Sequence, residues 1–219
     1  MHRALGVIVL IFLSLFIVTR MKKPLHYIPI GDSYTIGEGV EEQERWPNLL
    51  AANLSRTGTP TEVITNPSRT GWTSRLALDH EVPLVERERP GFVTILIGVN
   101  DIVQGVSIEQ FEKNLVEIID RTLAAISEPR SIVLITIPDF TLTPVGKSLG
   151  DTALYQKKLT EFNSVIEKIA QEKNLPLADI YGMSTRLGEN PIYVTNDGLH
   201  PSARAYMEWE KEIFEKVPR

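Results

Sequence analysis

Residues 92–101 read F-V-T-I-L-I-G-V-N-D, and residues 132–139 read I-V-L-I-T-I-P-D. Phe92 to Ile97 and Ile132 to Ile137 are near-continuous apolar runs, without the alternation of a strand that has one wet face. Runs of this kind belong to strands covered on both faces, as in a parallel sheet. Working outward, His26 to Ile30 reads as an earlier strand ending at Gly31. Thr61 to Thr65 reads as a second strand and Leu177 to Ile180 as a short last one.

Helix-period stretches lie between these runs. Pro47 to Leu54 predicts a short helix, and Ser74 to Val85 an irregular one broken near Pro83. Ser107 to Gln110 (S-I-E-Q) reads as a capping box ahead of the stripe Ile108, Phe111, Leu115, Ile118 and Ile119. Leu159, Phe162, Val165, Ile166 and Ile169 form a second stripe that ends near Asn174 and Pro176. Tyr206, Trp209, Ile213 and Val217 stripe a last helix. Strand–helix alternation along the whole chain predicts one α/β sandwich domain around a mostly parallel sheet.

The N-terminus has a different character. Ala4 to Val18 is uncharged and almost wholly apolar, with Arg3 before it and Arg20, Lys22 and Lys23 after it. It suits a signal-peptide core and is shorter than the roughly 20 residues of a comfortable membrane span. Residues 1–20 are therefore expected to be an export signal or membrane anchor, and 21–219 the domain. The alternative is a cytoplasmic protein whose translation starts at Met21. The basic residues after the apolar run weigh against export by the positive-inside bias. The chain carries 23 basic and 28 acidic side chains, a net charge of −5, with no basic cluster. That disfavours nucleic acid as a partner. The absence of cysteine removes disulfides, thiolate metal sites and a thiol nucleophile. No H-E-x-x-H or carboxylate cluster suggests a metal, and nothing implies an organic cofactor.

In open α/β sheets ligands bind beyond the carboxyl ends of the strands. Four segments lie there: Gly31-Asp32-Ser33-Tyr34-Thr35, Asn66 to Gly71, Gly98-Val99-Asn100-Asp101, and Asp197-Gly198-Leu199-His200-Pro201 before the last helix. A serine becomes a useful nucleophile when a base takes its proton, and a base working near neutral pH is most simply a histidine. Of four histidines, only His200 follows an acid by three residues and precedes a helix. A D-x-x-H turn can fold Asp197 onto one imidazole nitrogen and fix its tautomer. The backbone N–H groups of Ser33 and Gly71 and the amide of Asn100 are suited to receive the developing oxyanion. Taken singly each segment reads equally as a turn, a cap or a positive-φ glycine. Together they supply the different parts of one mechanism.

These four blocks resemble the SGNH hydrolases, also called GDSL lipases/esterases, from about residue 25 to the C-terminal helix. The resemblance implies a flavodoxin-like, three-layer α/β/α sandwich with a five-stranded, mostly parallel sheet. It also implies Ser33 as nucleophile, His200 as base and Asp197 as its orienting acid, with Ser33, Gly71 and Asn100 forming the oxyanion hole and no cofactor. The expected substrates are small-molecule esters, namely acyl esters of small or medium chain, acetylated carbohydrates or lysophospholipids. Tyr34 stands where the family name implies leucine and is expected to alter the pocket floor. Gly71 is the loosest match. Arg69 and Trp72 flank the blocks and read mainly as packing and surface. The loop Thr141 to Gly150 reads equally as a substrate loop or a connection. Two alternatives stand beside an esterase. One is an acyltransferase using the same acyl-enzyme. The other is a flavodoxin-like protein holding a phosphate or flavin with Ser33, Tyr34, Thr35 and Gly37, although G-x-x-x-x-G-K-[ST] and G-x-G-x-x-G are both absent.

Overall fold

The structure is a computed structural model, and it describes residues 23–126, 132–187 and 190–218. The expected signal or anchor at 1–20 lies outside the described residues. Five strands, β1 (Leu25–Gly31), β2 (Thr61–Val63), β3 (Phe92–Leu96), β4 (Ile132–Ile135) and β5 (Leu177–Ala178), form one sheet of order β2-β1-β3-β4-β5. Every pairing is parallel. The apolar runs are the reason: β3 and β4 are buried at every residue, which requires cover on both faces.

Ten α-helices are described among these residues: α1 (Ser33–Ile36), α2 (Trp46–Arg56), α3 (Ser74–His80), α4 (Val82–Glu88), α5 (Val99–Val103), α6 (Ile108–Ala125), α7 (Pro144–Ser148), α8 (Thr152–Glu172), α9 (Tyr181–Leu187) and α10 (Ala203–Lys216). Helices α2 and α10 pack together on one face of the sheet, and α3, α4, α6 and α8 pack on the other. Helix α6 buries Phe111, Leu115, Ile118 and Ile119, the stripe read from its spacing. Burying each such side chain stabilises the fold by roughly 1.5–3 kcal/mol. The described helices include none long and apolar enough to cross a membrane.

Two local expectations are corrected. The irregular helix over 74–85 is two helices, and the break falls at Glu81 rather than Pro83. Pro83 sits in the first turn of α4, where a missing N–H removes no helical bond. The capping box at Ser107 is one-sided. Ser107 Oγ accepts from Gln110 N at 3.2 Å, but the Gln110 side chain donates to Asn114 Oδ1 at 2.7 Å instead of reaching back.

The strand order places a topological switch point between β1 and β3, where the chain leaves in opposite directions along the sheet. A crevice opens there at the carboxyl ends of the strands. The segment after β1 begins with Gly31-Asp32-Ser33, and the one after β3 with Gly98-Val99-Asn100.

Candidate active site

Strand β1 runs directly into α1. At Gly31 the strands approach so closely that an added Cβ would stand 2.6 Å from the Leu96 carbonyl and 2.2 Å from Thr35 Oγ1. Only glycine fits there. Asp32 caps α1 by accepting from Tyr34 N at 3.0 Å, so Ser33 occupies the first helical position and is buried. The helix is pinned from outside. Trp46 Nε1 donates to the Tyr34 carbonyl at 3.1 Å, and Asn66 Nδ2 to the Thr35 carbonyl at 2.9 Å.

Asp197 and His200 share one turn. Val194 and Pro201 form an antiparallel bridge, and Thr195 N donates to the His200 carbonyl at 2.8 Å. Inside this loop Asp197 Oδ2 lies 2.7 Å from His200 Nδ1. Its other oxygen accepts from Thr195 Oγ1 at 2.7 Å, Leu199 N at 2.7 Å and His200 N at 3.0 Å. Gly198 turns the chain at φ +76°, a conformation that costs glycine little. Partial burial on its own would raise the Asp197 carboxyl. The donors from Thr195, His200 and Leu199 outweigh it and hold the group well below the usual carboxylate range. An ionised Asp197 accepting from Nδ1–H leaves Nε2 as the basic nitrogen.

This turn closes over α1. The rings of Tyr34 and His200 have centroids 5.4 Å apart. His200 Nε2 lies 3.8 Å from Glu38 Oε2, and that oxygen accepts a short hydrogen bond from Thr70 Oγ1. No hydrogen bond joins Ser33 Oγ to His200 among the described contacts. On the opposite side Asn100 Nδ2 donates to Asp32 Oδ2 at 3.2 Å and to the Trp72 carbonyl at 3.0 Å. The Gly71 carbonyl accepts from Gln104 Nε2 at 3.0 Å. The four predicted segments thus gather around Ser33: hydrogen bonds join Asp32 to Asn100, Asn100 to Trp72 and Thr70 to Glu38, and Glu38 faces His200. The Asn100 loop is braced by a relay that runs inward from the surface: Gln110 bonds Asn114, Asn114 bonds Ser74, and Ser74 N and Oγ bond the Asp101 carboxylate.

Beneath this ring lie three buried carboxyl groups that the sequence reading did not single out as a set. Burial pushes Asp32 up to about 7, against the opposing donors Tyr34 N and Asn100 Nδ2, and the nearby Asp101 adds to the rise. Burial raises Glu81 well above the usual range, although Gly31 N donates to it at 3.0 Å. Asp101 is raised by burial, partly offset by its two bonds from Ser74. No sequence period marks these groups, because each comes from a different element.

Tyr34 is buried and forms a wall of an apolar recess that also includes Phe140, Tyr193, Leu199 and Trp209. Its hydroxyl has no hydrogen-bond partner. Trp72 packs on His80, with ring centroids 5.4 Å apart, and Arg69 is exposed. The loop after β4 contains α7, and Val145 N of that helix donates to the Gly198 carbonyl at 2.9 Å, so it buttresses the turn that holds Asp197 and His200. Among the described residues Glu38, Asp197 and His200 have ligand-type atoms within 4.8 Å of one another. Asp197 and His200 Nδ1 are already hydrogen-bonded to each other.

The family model described as the GDSL-like lipase/acylhydrolase family matches residues 30–207. Thioesterase 1/protease 1/lysophospholipase L1 of Escherichia coli (strain K12) is 28% identical over 177 residues, 80% of this chain and 75% of that protein. An arylesterase of Vibrio mimicus is 25% identical over 177 residues, 80% of each chain. The crystal structure of TesA superposes with a TM-score of 0.71 at 22% identity, covering 88% of this chain and 97% of the other. That likeness bears on the fold.

Proposed function

Because the chain belongs to the GDSL-like lipase/acylhydrolase family and is a carboxylic ester hydrolase, we propose that it cleaves esters of small or medium acyl groups through an acyl-enzyme on Ser33. His200 Nε2 takes the proton from Ser33 Oγ as the oxygen bonds to the ester carbonyl carbon. The negative charge moves to the carbonyl oxygen, which the N–H groups of Ser33 and Gly71 and the amide of Asn100 receive. The intermediate then collapses. The bond to the alcohol oxygen breaks, and the imidazolium returns its proton to that oxygen. Water repeats the sequence in reverse, with His200 as base, and releases the acid. Asp197 orients the ring and stabilises its charged form throughout.

The observation that carries this reading is the 2.7 Å contact between Asp197 and His200 Nδ1, in a turn whose imidazole lies against the helix that begins at Ser33. In the resting site the Ser33–His200 bond is not made, and both Asn100 amide protons have protein acceptors. Catalytic hydrogen bonds commonly tighten only with substrate bound. Here that means Asn100 exchanging the Trp72 carbonyl for the oxyanion.

The test is labelling with a fluorophosphonate, with peptide mapping of the adduct. The expected adduct is on Ser33, and Ser33→Ala should abolish both labelling and ester hydrolysis. Labelling that persists in Ser33→Ala places the nucleophile elsewhere.

A further inference from the structure

Glu38 has no part in the mechanism above, yet its carboxylate is the charged group facing the proton-carrying nitrogen of the base. Its Oε2 lies 3.8 Å from His200 Nε2, too far for a hydrogen bond and close enough for a strong field. The position is built rather than incidental. Glu38 N donates to the Ser33 carbonyl at 3.1 Å, which fixes its backbone to the nucleophile. Thr70 Oγ1 donates to the carboxylate itself. The chain reaches Glu38 through Gly37 at φ +75°, and the next residue, Gly39, lies against the Thr195 side chain at the edge of the acid–base turn. The side chain is about 41% exposed, so it borders the mouth of the site.

Proton return in the first half-reaction places the leaving oxygen within hydrogen-bond reach of Nε2, about 3 Å. Whatever that oxygen carries must then pass beside Glu38. We propose that Glu38 is a leaving-group specificity residue. It favours esters whose alcohol portion carries a positive charge near the ester link, and it disfavours those whose leaving group is anionic. This inference rests on the Ser33–His200 reading. A carboxylate about 6 Å from a unit charge, at the effective dielectric of a half-open site, changes the relative rate on the order of tenfold.

The experiment uses three acetyl esters of similar size, with a trimethylammonium, a neutral tert-butyl or a carboxylate group on the alcohol. kcat/KM is measured for each, and the cationic and anionic values are divided by the neutral one. The wild type should prefer the cation and reject the anion, each on the order of tenfold. Glu38→Gln keeps an oxygen for Thr70 and should bring both ratios near one. In the wild type both ratios should also move toward one in 1 M salt, because screening shortens the range of the field to about 3 Å. The salt measurement stands even if the variant folds poorly. Ratios that Glu38→Gln leaves unchanged, or an equal fall on all three substrates, overturn the proposal. An equal fall would mean that Glu38 acts on His200 and not on the leaving group. Failure of the underlying reading shows differently: Ser33→Ala would keep its activity and its fluorophosphonate labelling.

Discussion

Asn100 Nδ2 lies 3.2 Å from Asp32 Oδ2, so the proposed oxyanion donor and the cap of the nucleophile helix are one hydrogen-bonded unit. Asn100→Ala removes a donor that acts mainly in the transition state. kcat should fall on the order of 10²–10³ with KM little changed. Asn100→Asp should be at least as damaging, because a carboxylate then faces Asp32 and the Trp72 carbonyl. A lower thermal midpoint should accompany its loss of rate. A purely structural Asn100 predicts that the thermal midpoint falls in both variants while kcat of the folded enzyme stays near that of the wild type. Rates on one activated ester and midpoints for both variants decide between them.

The acid–base turn gives a second prediction. Asp197→Asn cannot accept from Nδ1–H as a carboxylate does, so the ring loses its fixed tautomer. A loss of kcat on the order of 10²–10⁴ is expected. Because Asp197 is held below the usual carboxylate range by its donors, it stays ionised throughout ordinary assays and adds no limb to the rate profile. Its contribution to stability is present above the usual carboxylate pKa and is lost as acid protonates it. Ester hydrolysis that survives in His200→Ala would remove His200 from the role of base.

The buried carboxyls act in the other direction. Asp32 and Glu81 have folded-state values raised by burial. Between the unfolded value and the raised one, the native state binds the extra proton, so stability falls as pH rises. For Asp32 the window runs from 3.8 to about 7, with a slope of about 1.4 kcal/mol per pH unit at most. Glu81→Gln keeps an oxygen for Gly31 N and never ionises. Its curve of stability against pH should be flatter than that of the wild type, with the gain largest on the alkaline side. Urea midpoints between pH 5 and 8 measure this. Parallel curves for the two proteins would show that Glu81 does not titrate in that range.

Gly31→Ala tests the close approach of β1 to β3. The new methyl would meet the Leu96 carbonyl at 2.6 Å, a backbone atom that cannot rotate away. Overpacking of this kind costs about 1–3 kcal/mol, a fall in thermal midpoint on the order of 5 °C for a chain of this size. Ser33 lies two residues on, so activity should drop with it, and an unchanged midpoint would show that the strands separate freely there.

Much of this architecture is legible in the residues alone. The unbroken runs at Phe92 and Ile132 declare a sheet covered on both sides, and the four polar segments at strand ends declare where its chemistry lies. The D-x-x-H spacing is informative because the Asp197–His200 contact is made within one turn. The less legible features are long-range. Glu38 meets His200 only after the whole sheet has formed, and nothing in G-E-G announces it. The irregular stretch from Ser74 to Val85 shows its break near Pro83, but helix period carries no sign that Glu81 turns inward to meet Gly31 N. Gln110 reads as a cap partner, and only the position of Asn114 beside Ser74 gives its side chain other work.

The closed loop from Val194 to Pro201 has a consequence for how the protein fails. Asp197 and His200 are bound to each other by contacts a few residues apart, whereas Ser33 and His200 come from opposite ends of the described chain. Partial opening that lets α10 drift from the sheet would carry Asp197 and His200 away as an intact couple. Inactivation under mild denaturant should then precede any change in the imidazole proton shared with Asp197.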